Sequence, residues 1–146
     1  MKQVIFSNFL FVYGTLRSDV KHPIADCLKQ QANWIGPASY QGKLYQIADY
    51  PAAVASSNPS DKVYGEVYQL FNADLWSTLD DYEECSPSFP EPTEYLRTLQ
   101  MVYLANGQAL EAWLYLYNRP VNTLKVIESG DFLNQGLNHS IIGHGL

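Results

Sequence analysis

The chain has 146 residues, 47% of them hydrophobic, and its nine Lys and Arg stand against fifteen Asp and Glu for a net charge of −6. That size suits one domain with a continuous core, expected over residues 1–135 with a tail at 136–146, and no apolar run is long enough to cross a membrane. The few scattered basic residues argue against a nucleic-acid partner, because phosphate-backbone affinity rests on clustered Lys and Arg. Cys27 and Cys85 offer neither a disulfide framework nor metal-ligand spacing, so the expected location is cytoplasmic and no metal is assigned.

The pattern along the chain is mostly β, with short helices between strands and no repeat. Val4 to Val12 is apolar, but Ser7-Asn8 interrupts it, no small-residue cleavage site follows, and it runs into the turn Tyr13-Gly14-Thr15-Leu16. It therefore reads as a first strand rather than a signal segment. Pro23 opens a short helix with Ile24, Cys27 and Leu28 on one face, closed by Asn33 and Gly36-Pro37. Gly42 to Ala48 reads as a strand, Asp49-Tyr50-Pro51 as a turn, and Lys62 to Leu70 as a strand with Val63, Gly65 and Val67 on one side and Tyr64, Glu66 and Tyr68 on the other. Asn72 is a candidate N-cap for a helix through Tyr82 or Glu84. Glu94 to Leu104 and Gln108 to Asn118 form a hairpin across Ala105-Asn106-Gly107, since Asn-Gly favours the positive φ angles of a tight turn.

Two segments carry chemistry. Phe11-Val12-Tyr13-Gly14-Thr15-Leu16 is an apolar strand breaking into a glycine turn, which can present backbone N–H groups to an anion. In the helix from Asn72, about 100° per residue with Leu79 at zero puts Leu75 near −40°, Tyr82 near −60°, Trp76 near +60° and Glu83 near +40°. Glu83 thus falls within the apolar stripe, while Asp80, Glu84 and Asp81, near 100°, 140° and 200°, point toward solvent. A carboxylate on a buried face has its pKa raised by desolvation and suits proton transfer near neutrality. The competing reading ends the helix at Tyr82 and turns Glu83 into solvent.

Phe11-Val12-Tyr13-Gly14-Thr15-Leu16, Gly65-Glu66-Val67-Tyr68, Leu79-Asp80-Asp81-Tyr82-Glu83 and Tyr95-x-Arg97 in combination resemble the γ-glutamylcyclotransferase-like superfamily, most of all its γ-glutamylamine cyclotransferase branch and related small bacterial proteins. The resemblance covers roughly residues 9 to 118 and implies an α+β fold, a small mixed β-barrel with short flanking helices and a cavity at its mouth. It carries the family's catalytic glutamate onto Glu83. Two departures are Glu84, where many relatives have glycine, and a longer loop from Glu84 to Glu94 with Pro87, Pro90 and Pro92. Such a loop beside the base bears on substrate choice more than on chemistry.

The implied reaction is cyclisation of a γ-glutamyl amide by its own α-amine, giving 5-oxoproline and a released amine or amino acid, with no cofactor. The substrate is the small-molecule partner expected. Glu83 is the candidate general acid/base, and Tyr13, Gly14, Thr15, Leu16 and Tyr95 are the candidate substrate-binding residues. Tyr13 fits a pocket wall and a strand-end core aromatic equally well. Arg97, on one strand face with Tyr95, Leu99, Met101 and Tyr103, fits a structural ion pair, and Tyr115 and Tyr117 fit aromatic packing. The alternatives are a non-catalytic module of the same fold binding a small carboxylate or amine, and a metal site on Asp80, Asp81, Glu83 and Glu84, whose helical angles diverge too widely for one ion.

Overall fold

A computed structural model of the chain describes residues 8–14, 23–47, 50–71, 73–82 and 94–132. Its elements run β1 (Phe9–Val12), α1 (Pro23–Gln31), β2 (Ala32–Ile47), β3 (Tyr50–Ala55), β4 (Lys62–Leu70), α2 (Ala73–Tyr82), β5 (Tyr95–Leu104), β6 (Ala109–Tyr117) and β7 (Lys125–Val126). Five strands follow one another as β2-β4-β1-β6-β5, and β5 closes the ring on β2 through Ala38 opposite Leu104 and Tyr40 opposite Val102. β1 is antiparallel to β4 and parallel to β6, so the barrel is mixed, as expected. No helix among the described residues is long and apolar enough to cross a membrane.

Strand alternation sorts side chains between two apolar layers. Phe11, Tyr13, Val63, Val67, Val102, Ala112 and Leu114 fill the barrel. The opposite faces of the same strands supply Leu10, Val12, Tyr68, Leu70, Tyr95 and Tyr115, covered by Ala25 and Leu28 of α1 and by Leu75 and Leu79 of α2. β1 is apolar at every position because both of its faces are buried. Each fully buried leucine under the helices contributes about 1.5–3 kcal/mol.

The hairpin forms where Asn-Gly places it. Gly107 has φ +89° and donates to the Leu104 carbonyl at 2.9 Å, and Asn106 Oδ1 accepts from the Gln108 N–H at 2.9 Å. Two stretches differ from the sequence reading. β2 does not wait for Gly42 but starts at Ala32, because the slip in its register with β4 between Trp34 and Gly36 absorbs one residue and lets pairing continue through Pro37. Tyr50-Pro51 opens a strand rather than a turn: β3 pairs with the second half of β2 from Gly42 opposite Ala55 to Ile47 opposite Tyr50. Proline is tolerated at the start of a strand at the sheet edge.

Candidate active site

β1 leaves the sheet at Tyr13-Gly14, and both residues are buried. The Tyr13 hydroxyl donates to the Tyr115 backbone carbonyl, which ties the end of β1 to the neighbouring strand β6. On its other side β1 presses against β4 at Gly65. A β-carbon there would stand 2.1 Å from the Val12 carbonyl oxygen and 2.9 Å from the Phe11 ring, so only glycine lets the strands approach where the chain turns.

α2 lies over the same strands and ends at Tyr82. Its final turn is held by Asp80, which the helical angles had directed toward solvent. At about 100° from Leu79 it sits on the border of the stripe, and β5 and β6 supply partners on that border. Tyr115 Oη donates to Asp80 Oδ1 at 2.6 Å, and Arg97 Nε and Nη2 approach Oδ1 and Oδ2 at 3.0 and 3.2 Å. The guanidinium carbon lies 4.7 Å from the ring centre of Trp76 and 5.1 Å from that of Trp113. The pair is only 20% exposed at Asp80 and 29% at Arg97, so it is shielded from most solvent screening.

Tyr95, level with Tyr117 in the β5–β6 register, is fully buried; its hydroxyl donates to the Pro51 carbonyl at 2.5 Å, and its ring meets Tyr117 edge-on at 5.7 Å. The preceding residue, Glu94, is 8% exposed; its Oε2 accepts from the Tyr50 hydroxyl at 2.7 Å and its carbonyl from the Asn118 N–H at 2.8 Å. Burial, and then the negative charge of Glu94, push the Tyr117 phenol above its ordinary pKa, with the positive charge of Arg119 acting the other way.

Of the residues singled out in the sequence, Tyr13, Gly14 and Tyr95 are buried around β1, β5 and β6, and Tyr13 and Tyr95 are each linked by hydrogen bond or ring contact to β6. Thr15, Leu16 and Glu83 lie outside the described residues, as do the proline-rich loop and the 136–146 tail. Asp80, Glu94 and Tyr50 were missed as members of this region. Asp80 stood in the family motif and in the metal alternative, and its border angle was the signal for a structural partner; Tyr50, the partner of Glu94, comes from β3, which Pro51 concealed. A polar groove of about 350 Å³ between β2, the start of β4 and the β7 turn is lined by Lys43, Asp61, Lys62, Tyr64 and Glu128 among others, and by none of the candidate residues.

Comparison with known proteins places this geometry in context. The family model described as "Gamma-glutamyl cyclotransferase, AIG2-like" matches residues 10–134. The "Gamma-glutamylcyclotransferase family protein YtfP" of Escherichia coli K12 is 33% identical over 133 residues, covering 86% of this chain and 96% of that protein. Among solved structures, YkqA from Bacillus subtilis superposes with a TM-score of 0.64 at 26% identity over 86% of this chain, which spans 39% of the YkqA chain. An AIG2-like protein from Mus musculus gives 0.62 at 20% identity, over 92% of this chain and 88% of its own, a likeness of fold alone. The protein belongs to the γ-glutamyl cyclotransferase, AIG2-like family.

Proposed function

We propose that the protein is a cofactor-independent γ-glutamyl cyclotransferase that converts a γ-glutamyl amide to 5-oxoproline and a free amine. The observation that carries the reading is the family match over residues 10–134, which contains the Tyr13-Gly14-Thr15-Leu16 turn and Glu83 together. The bond from Tyr115 to Asp80 supports it, because it fastens the end of α2, one peptide bond before Glu83, to the strand beside the end of β1.

In this reading the substrate's α-amine, with a pKa of about 8, arrives mostly protonated. Glu83 takes its proton, the amine attacks the γ-carbonyl to close a five-membered ring, Glu83 returns the proton to the departing nitrogen as the γ-amide C–N bond breaks, and the second proton of the ring nitrogen passes to the released amine, which leaves as an ammonium. Such general acid–base assistance is worth about 10²- to 10⁴-fold. The backbone N–H groups from Gly14 to Leu16 receive either the oxyanion or the substrate's α-carboxylate, and the turn holds the glutamyl chain in its cyclising shape. Branch preference follows the resemblance, with γ-glutamylamines expected ahead of glutathione.

The test is substitution of the base. Glu83→Gln keeps shape and hydrogen bonding but removes proton acceptance, so kcat for a γ-glutamylamine should fall by about 10²-fold or more with the circular dichroism spectrum unchanged. Glu84→Gln should leave turnover near wild type. Near-wild-type activity in the Glu83 variant would remove Glu83 from the mechanism.

A further inference from the structure

The ladder between β1 and β4 has its last described pairing at Val12 opposite Glu66. At its other end the Leu70 N–H donates to the Asn8 carbonyl at 2.8 Å. Donors on one edge of an antiparallel strand come at alternate residues, so Tyr68, Glu66 and Tyr64 carry the next N–H groups on that edge. Counted on in register, the Tyr64 N–H is the one that the Gly14 carbonyl would accept if β1 ran straight on. It donates instead to the Gly130 carbonyl, at 2.8 Å. Gly130 thus stands beside β4 in the place that β1 gives up.

The segment that brings Gly130 there is held on both sides. The Ile127 N–H donates to the Leu44 carbonyl of β2 at 2.7 Å, and the Gly130 N–H donates to the Ile127 carbonyl at 3.0 Å. Ser129 Oγ accepts from the Asp131 N–H at 3.1 Å, which closes the turn. Ile127 and Phe132 are buried in the same apolar cluster as Tyr13 and Val63. Gly130 has φ +70°, and a β-carbon on it would overlap the Lys62 carbonyl oxygen, so glycine is required both for the angle and for the approach to β4. A strand continuing past Tyr13 would run into this segment, and the donor it needs is already satisfied. β1 is therefore turned away at Gly14 by residues distant in sequence.

Resting on the cyclotransferase reading, we propose that Gly130 and Phe132 are positioning residues of the active site. Gly130 occupies the ladder position that would be Gly14's, and Phe132 anchors the segment in the core it shares with Tyr13. Together they set where, and in which direction, the Gly14 backbone leaves the sheet to meet the substrate's anion. Neither needs to touch substrate, because a displacement of about 1 Å in a group that receives a reacting anion costs about 10²-fold.

The experiment compares full-length variants against a core control. Gly130→Ala drives a β-carbon into the Lys62 carbonyl, and Phe132→Leu, a milder change in the core, decides alone if Gly130→Ala fails to fold. Val102→Ala is the control: it opens the same core opposite Leu110, at the start of β6, whereas β1 leaves the sheet beside the end of β6. Urea midpoints rank the stabilities, and turnover of a γ-glutamylamine is measured per folded molecule. Gly130→Ala should lose about 10²-fold in kcat/KM and Phe132→Leu a smaller factor, while Val102→Ala keeps wild-type kcat and KM despite a lowered midpoint. In ¹H–¹⁵N spectra the Gly14 amide resonance should move in both Gly130→Ala and Phe132→Leu and stay in place in Val102→Ala. Wild-type kcat/KM in Phe132→Leu and in any folded Gly130→Ala, a loss no larger than the control's at equal stability, or an unmoved Gly14 amide overturns the proposal. If wild type forms no 5-oxoproline, the reaction is overturned, and the Gly14 amide resonance then decides the positioning claim by itself.

Discussion

Removing Asp80 is the perturbation that most directly tests how the helix end is held. Asp80→Ala strips the acceptor from a fully buried Tyr115 hydroxyl and the anion from Arg97, two contacts now made at 2.6 and 3.0 Å. A hydrogen bond to a charged group contributes about 1.5–3 kcal/mol, and the partly shielded ion pair about 1 kcal/mol. Because the two contacts share one carboxylate they are not additive, and a loss of about 3 kcal/mol is expected. In a chain of this size that lowers Tm by roughly 10 °C. Urea unfolding gives the free energy, and a cycle with Tyr115→Phe isolates the shared bond, with a coupling of about 1 kcal/mol or more. Asp80→Asn, which still accepts from Tyr115 but lacks the charge, should cost about 1 kcal/mol. A loss below about 0.5 kcal/mol for Asp80→Ala, together with no coupling to Tyr115, would refute the idea that this network fastens α2 to the sheet.

Three further outcomes follow. Gly65→Ala drives a β-carbon into the Val12 carbonyl, which would lie 2.1 Å away, and should destabilise by about 1–3 kcal/mol in urea titration while lowering turnover through the displaced turn after Val12. Burial raises the Tyr40 phenol pKa above 10.0 in the folded state, so its contribution is fully present below about pH 10 and is lost as pH rises through the folded value. Tyr40→Phe should therefore flatten the alkaline fall in Tm relative to wild type. Thorough chelation should leave cyclotransferase activity intact, and loss on chelation with recovery by a divalent ion would revive the metal reading.

Local chemistry explains which parts of the fold were legible in the sequence. Asn106-Gly107 announces the hairpin because so few dipeptides supply its backbone angles, and Lys62 to Leu70 declares its two faces because Val63 and Val67 alternate with Tyr64, Glu66 and Tyr68. β3 was hidden, since Pro51, Ala52 and Ala53 have weak strand preference and owe their conformation to pairing with β2. The same applies to the run from Ala32 through Pro37, where a bulge against β4 overrides two residues that ordinarily end an element. Near the site, the strand that runs into Tyr13-Gly14 and the strand that opens at Tyr95 were readable from local pattern. The partners of Asp80 come from β5 and β6 and the partner of Glu94 from β3, contacts that depend on how the barrel closes and that no window of sequence contains.

The central claim is the reaction, and product identity tests it most directly. Purified protein is incubated with a panel of γ-glutamylamines, γ-glutamyl amino acids and glutathione, each beside its analogue acetylated on the α-amine, and products are assigned by mass spectrometry. Intramolecular attack predicts 5-oxoproline and the released amine in equal amounts from the free-amine compounds and nothing from the acetylated ones. Glutamate as the main product, or no turnover of any compound by well-folded protein, would contradict the account.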